Sequence, residues 1–172
     1  MLLLIHDANV LIDLVDISLL DEAMILPCTM KTTDLVQHEV VDPAQAMALS
    51  SCIERGLLTV LSSSIDQMAK IGEMKNASPR LALADCSVVF HAKDGAGIVL
   101  SGDERLRMEA HRQGLEVHST PWLLNLMVTE SVIAPEVAVD KLELLMSINR
   151  RLPNRECLKL IEKWKKMAGS QK

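Results

Sequence analysis

Aromatic side chains are almost absent from this chain of 172 residues, which has two Trp, one Phe and no Tyr. Proteins that bind single-stranded nucleic acid by stacking line a groove with aromatic side chains, and three aromatics cannot build such a surface. Basic residues are also few, because 18 Lys and Arg are outnumbered by 23 Asp and Glu, for a formal net charge of −5. A strongly basic phosphate-binding surface is therefore excluded as a property of the whole chain.

Paired cysteines and long uncharged segments are missing as well. The four Cys stand far apart and form no C-x-x-C pair, so neither a zinc site nor a redox motif is supported. The most apolar stretch, residues 1–20, is interrupted by His6 and three Asp, whereas a membrane span needs about 20 nearly uncharged residues. No basic segment precedes this stretch, as it does in a secretory signal. We expect a reduced, cytoplasmic protein without a membrane span.

The motifs of several common enzyme classes are lacking. A P-loop or dinucleotide-binding fold needs a Gly-rich turn after the first strand, and residues 7–10 contain no Gly. The five His form no H-x-x-x-H pair, which disfavours a zinc hydrolase, and there is no G-x-S-x-G elbow. A phosphotransferase of the haloacid dehalogenase kind needs a second Asp two residues after the first, where this chain has Asn9.

What the sequence does have is an alternation of short apolar runs with segments of helical spacing. Apolar runs at 2–5, 24–26, 57–61, 98–100 and 115–117 predict buried parallel strands. Thr33 or a neighbour is expected to cap a helix that ends near 41, and Ser78 a helix over 81–93. Strands alternating with helices predict an α/β fold, a parallel sheet flanked by helices. Residues 1–130 form this part, and 131–172 are expected to form a C-terminal helical extension packed on the same domain.

Two acidic residues follow predicted strands directly or nearly so. Asp7 comes immediately after the first strand, and Asp103 follows the fourth strand across Ser101-Gly102. Ligands bind outside the carboxyl ends of the strands in open parallel α/β sheets, so both acids belong to the edge where a site is expected. Capping of the following helix explains either residue alone equally well.

Two further acids, Asp85 and Glu39, lie inside predicted helices. Apolar residues three and four positions away share the helix face of Asp85, and an unpaired charge on such a face costs several kcal/mol. Glu39 repeats this pattern more weakly, and a frayed polar turn explains it too. The remaining acids, Asp13 and Glu109 among them, are expected on solvated faces. A set of carboxylates without Cys or paired His makes an oxygen-only site, which selects Mg²⁺ or Mn²⁺.

These residues, taken in order, resemble the PIN-domain family. The resemblance covers residues 1–130 and rests on Asp7-x-Asn9 after the first strand, Glu39 in an early helix, Leu83-Ala84-Asp85 in a later helix, and Ser101-Gly102-Asp103 after the next strand. Ser101 stands where Thr is commoner in the family. His6 stands where the family usually has an apolar residue, and the sequence assigns it no function.

The resemblance implies a Mg²⁺- or Mn²⁺-dependent endoribonuclease in which four carboxylates are catalytic and hold the metal. Those carboxylates are Asp7, Glu39, Asp85 and Asp103, with Asn9 and Ser101 orienting a carboxylate or the attacking water, and Arg105, Arg107 and Arg112 within reach of the RNA backbone. A solvated helix face explains the three Arg as well. Many prokaryotic relatives are VapC-type toxins of toxin–antitoxin pairs, which implies a small antitoxin partner and a homodimer. The alternative is a PIN-like module that binds RNA or a protein without cleaving it.

Overall fold

The computed structural model describes residues 2–169, so position 1 and positions 170–172 of the predicted segments lie outside it. The strands are β1 (Leu2–His6), β2 (Cys28–Thr33), β3 (Thr59–Leu61), β4 (Ile98–Leu100) and β5 (Val117–His118). The helices are α1 (Ala8–Asp16), α2 (Leu20–Met24), α3 (Asp34–Glu39), α4 (Pro43–Glu54), α5 (Ile65–Ala77), α6 (Leu83–Asp94), α7 (Glu104–Arg112), α8 (Thr120–Thr129), α9 (Pro135–Ile148) and α10 (Asn154–Gly169).

The five strands form one parallel sheet in the order β3-β2-β1-β4-β5. The central strand, β1, pairs with β2 on one side, where Leu4 is opposite Met30, and with β4 on the other, where His6 is opposite Leu100. The chain therefore proceeds outwards from β1 to β3 and then returns to the opposite side of β1. Such a reversal of strand order opens a crevice at the carboxyl ends of the two strands, here β1 and β4.

Helices flank the sheet, and the α/β fold predicted from the sequence is confirmed. Helix α6 packs against β1, β2 and β4, while α1 contacts α2, α4 and α8. The core is aliphatic, as the shortage of aromatics requires. Val10, Leu11 and Leu14 on α1 and Val88 and Val89 on α6 are fully buried in it. This packing fixes the starts of α1 and α6, which carry two of the four acids of interest.

Two predicted elements are displaced in the structure. The apolar run at 24–26 ends a helix and leads into a turn, and the second strand is β2, whose sequence is CTMKTT. Thr32 and Thr33 can be buried because their hydroxyls have partners: Thr32 Oγ1 donates to His6 O at 2.9 Å, and Thr33 Oγ1 lies 2.7 Å from Ser87 Oγ. Ser78 does not cap α6, which starts at Leu83; it follows the end of α5 instead.

The last two helices pack on each other and on α8. Leu142 and Leu145 of α9 and Cys157 and Trp164 of α10 are fully buried, in the same core cluster as the strands. The turn between the two helices, residues 149–153, returns towards α1 and the end of β4. No helix within residues 2–169 is both long and apolar enough to cross a bilayer.

Candidate metal centre at the end of β1 and β4

Asp7 lies at the centre of a hydrogen-bonded cluster at the carboxyl ends of β1 and β4. Its side chain is 3% exposed, and Oδ1 accepts a bond of 2.7 Å from the backbone N–H of Ala8, which makes it the N-cap of α1. The other oxygen, Oδ2, accepts from Ser101 Oγ at 2.7 Å and from Asn9 Nδ2. Asp7 thus caps α1 with one oxygen, and its other oxygen contacts Ser101 and Asn9 at the carboxyl ends of β1 and β4.

Ser101 and Asn9 connect this carboxylate to the next acid. The hydroxyl of Ser101 accepts a bond of 3.0 Å from the backbone N–H of Asp103, and Asn9 Oδ1 accepts one of 2.7 Å from Gly102 N–H. A side chain at position 102 would place its Cβ 3.3 Å from Asn9 Oδ1, so glycine leaves room for this link. Asp103 Oδ1 caps α7 by accepting from Arg105 N–H and Leu106 N–H, which leaves Oδ2 without a partner among the described residues.

Asp85 occupies the first turn of α6. One of its oxygens accepts a bond of 2.7 Å from the backbone N–H of Ala82, which satisfies the start of the helix. The carboxylate is half-buried, and its second oxygen accepts no hydrogen bond among residues 2–169. The hydroxyls of Ser87 and Thr33 fasten this part of α6 to the start of α3. Glu39 is the last residue of α3; it is exposed and accepts no hydrogen bond within the described chain.

The four acids are electrostatic neighbours. Burial, together with the charges of Asp85 and Glu39, raises the pKa of Asp7 to about 7, and hydrogen bonds from Ser101 and Ala8 oppose the rise only in part. Burial and the charge of Asp103 raise the pKa of Asp85, although its bond from Ala82 and the charge of Lys75 oppose this. The pKa of Glu39 is raised by burial and by Asp85. The ionised forms of Asp7, Glu39 and Asp85 are therefore each destabilised by at least one other acid of the four.

A comparison with known protein families finds a match over most of the chain. A family model that describes the PIN domain matches residues 3–166. The chain belongs to the PIN-domain family. No curated protein matches it. PIN domains are a nuclease-type fold, typically use divalent metals and bind RNA.

The donor set of this PIN domain fits a hard divalent cation in its chemistry. The acids supply oxygen atoms only, and three of the four keep at least one oxygen without a hydrogen bond among the described residues. A bound divalent cation would offset the mutual repulsion of these carboxylates. The side chains do not converge as they stand, because no group of three or more His, Cys, Asp or Glu within residues 2–169 is arranged to hold a metal. A cation held by all four acids would need their carboxylates closer together than the structure places them.

The three arginines predicted to reach the RNA backbone have different environments in the structure. Arg112 makes an ion pair with Glu109 at 2.5 Å, which holds its guanidinium against its own helix and lowers the pKa of Glu109. Glu109 is buried and not on a solvated face, so that expectation is wrong. Arg107 Nη1 lies 3.4 Å from Ser101 O, at the rim of the cluster. Arg105 is exposed and has no side-chain partner among the described residues.

Asp13 is a second acid whose predicted solvated position is wrong. It is 6% exposed. Its Oδ2 accepts a bond of 2.6 Å from Thr120 Oγ1, and its Oδ1 accepts one of 2.9 Å from Asn149 Nδ2. Sequence reasoning missed this contact because Asp13 shares its polar helix face with the exposed Asp16. Both partners, Thr120 and Asn149, are far away in the chain, and no local sequence pattern indicates either contact.

Proposed function

We propose that this PIN domain is a Mg²⁺- or Mn²⁺-dependent endoribonuclease. The metal is held by Asp7, Glu39, Asp85 and Asp103. The observation that carries the proposal is the position of Asp7. A carboxylate whose pKa is raised to about 7 by burial and by neighbouring acids is kept, by Ser101 and Asn9, at the strand switch point.

The side chains have distinct parts in the proposed reaction. Asp7 is the fixed carboxylate, because three hydrogen bonds hold its two oxygens. Asp85, Asp103 and Glu39 are less buried and have free oxygens, so they complete the ligand set. Ser101 and Asn9 keep Asp7 oriented, a role in which outer partners of metal ligands commonly contribute ten- to a hundredfold. A bound divalent cation supplies an activated water and stabilises charge on the leaving oxygen of the phosphodiester.

The direct test is cleavage of a labelled single-stranded RNA by the purified protein. We expect cleavage with Mn²⁺ or Mg²⁺, no cleavage in EDTA, and a loss of about a hundredfold or more in Asp85→Asn, since several kcal/mol of transition-state stabilisation depend on the ligand set. Cleavage that persists in EDTA or in Asp85→Asn shows another mechanism or a contaminating nuclease. Binding of RNA without cleavage under any metal condition favours the alternative, a non-catalytic PIN module.

The resemblance to VapC-type proteins extends the proposal to a biological role, the toxin of a toxin–antitoxin pair with a small antitoxin and a homodimeric assembly. Induced expression of the wild-type chain in a bacterial host is then expected to arrest growth within a few generations, because RNA is cleaved. Asp7→Asn, at equal abundance on an immunoblot, leaves growth unchanged. Growth that continues with the wild-type chain, or stops equally with both, contradicts the toxin role.

A further inference from the structure

A cleft of about 650 Å³ extends from the acidic cluster to the turn between α9 and α10. Asn9, Gly102 and Asp103 belong to its lining on the side of the candidate metal centre. The opposite wall is formed by residues 148–153, and Arg107 also lies in the lining. The C-terminal helices therefore do more than cover the core, because their connecting turn completes the depression next to the acids.

That wall carries two adjacent cations, Arg150 and Arg151. Both are exposed, and neither guanidinium forms a hydrogen bond or an ion pair with any described residue. This is notable because acids line the same cleft at Asp13, Asp16, Asp103, Glu104 and Glu156. The positive charges of the two arginines are thus not paired with the carboxylates of the cleft. Both guanidinium groups are available to an anion that enters it.

The backbone that carries the two arginines is fastened on both sides. Asn149 uses both ends of its amide: Nδ2 donates to Asp13 Oδ1 at 2.9 Å, and Oδ1 accepts from the backbone N–H of Arg151 at 3.0 Å. On the other side Leu152 is buried in the core. Asp13 lies on α1, the helix that Asp7 caps. The turn is therefore held in a fixed relation to the candidate metal centre.

We propose that Arg150 and Arg151 form the phosphate-binding wall of the cleft and grip the backbone of the RNA strand whose phosphodiester lies at the acids. This inference rests on the proposed ribonuclease function. The guanidinium group suits phosphate because it presents several donors in a planar fork. A chain that is acidic overall and poor in aromatics needs such a local source of positive charge to hold a polyanion. Asn149 is a positioning residue, since it acts through the turn and does not reach the strand itself.

RNA binding by the two arginines can be measured apart from cleavage. The assay is the fluorescence anisotropy of a labelled single-stranded RNA in EDTA, where no metal-dependent cleavage is expected. The salt dependence of log Kd for single-stranded nucleic acid changes by about 0.7 for each phosphate contact. Arg150→Gln/Arg151→Gln is therefore expected to weaken binding and to reduce that slope by about 1.4. The matched control is Arg55→Gln/Lys93→Gln, which removes the same charge from exposed residues near the ends of α4 and α6, at the opposite edge of the sheet. The control should keep the wild-type slope.

A second pair of variants tests the positioning role. Asn149→Ala and Thr120→Val each remove one hydrogen bond to Asp13, but only the first releases the arginine turn. We expect Asn149→Ala to weaken RNA binding severalfold and Thr120→Val to leave it unchanged, at comparable melting temperatures. Wild-type RNA binding with an unaltered slope in the arginine variant overturns this inference alone. A wild-type chain that binds no RNA, with or without Ca²⁺ in place of EDTA, overturns the proposed function and the inference together.

Discussion

Asp7→Asn is expected to lower the rate of RNA cleavage by about a hundredfold or more while the fold stays intact. Asp7 is the most buried of the four acids and the only one that is hydrogen-bonded to both Ser101 and Asn9. Asparagine keeps the shape and the acceptor for Ala8 N–H, but it removes the negative charge that a divalent cation requires. Because several kcal/mol of transition-state stabilisation depend on that cation, a loss of this size follows.

The matched control for this variant is Asp16→Asn. Asp16 lies on the same helix, lines the same cleft, and accepts a bond of 2.8 Å from Gln45, but it is exposed and outside the acidic cluster. Its substitution removes an identical charge and should change the cleavage rate less than threefold. Single-turnover rates with saturating Mn²⁺, accompanied by circular dichroism spectra, make the comparison. Equal losses in the two variants are evidence for a general charge effect and against a metal centre at Asp7.

The second large effect concerns the stability of the metal-free protein and its dependence on pH. Burial, reinforced by neighbouring acids, raises the pKa of Asp7 from 3.8 to about 7. Burial alone lowers the pKa of the adjacent His6 from 6.5 to about 4. Between pH 4 and 6.5 the unfolded chain therefore holds one proton on His6, whereas the folded chain holds one on Asp7. The number of bound protons is equal, so this pair contributes no slope to the free energy of unfolding over that range.

Substitution of either residue removes this compensation. In His6→Leu only Asp7 of this pair can bind a proton. The folded state keeps that proton up to about pH 7, whereas the unfolded state has already lost it. The free energy of unfolding should then fall with pH relative to wild type, by about 3 kcal/mol between pH 4 and 6.5. In Asp7→Asn only His6 remains, which must lose its proton on folding. The free energy of unfolding should rise relative to wild type, by about 4 kcal/mol between pH 4 and 7.

Urea unfolding in EDTA at a series of pH values measures both differences. Met30→Leu is the control, because Met30 Sδ lies 3.2 Å from His6 Nε2 and its replacement changes packing without adding or removing a titratable group. Its profile should run parallel to that of the wild type. Three parallel profiles for His6→Leu, Asp7→Asn and wild type show that folding shifts the pKa of neither residue, which contradicts this prediction.

The positions of Asp7 and Asp103 at the carboxyl ends of strands could be predicted from the sequence, because the end of an apolar run is visible in a few neighbouring residues. Asp7 and Asp103 follow apolar runs that are strands in the structure, and parallel strands bring such exits together. The second strand was harder to place because Thr and Lys replace the expected apolar residues. Its β-branched threonines suit a strand, and their hydroxyls find buried partners in His6 O and Ser87 Oγ that no local pattern reveals.

The sequence places Asp85 inside a helix beside apolar neighbours, and the structure places it at the start of that helix. The helix begins two residues later than expected, at Leu83, so that Asp85 lies in the first turn and bonds to Ala82 N–H. A backbone partner therefore offsets part of the cost of a charge on that apolar face. The role of Asp13 and the turn with Arg150 and Arg151 could not be predicted from the sequence. Each depends on contacts between segments that are far apart in the chain, and the spacing of residues within one helix does not indicate such contacts.

The bond between Asp13 and Asn149 joins residues that are 136 positions apart, and this separation has a consequence for synthesis. The acids at positions 7 to 103 and the strands that hold them leave the ribosome before α9 and α10 do. A domain generally folds as a unit, and α9 and α10 contribute buried residues to the same core as the strands. The acids are therefore synthesised early, but their final packing depends on helices that are synthesised later. The bond from Asn149 to Asp13, and with it the turn that carries Arg150 and Arg151, can form only after α9 has emerged.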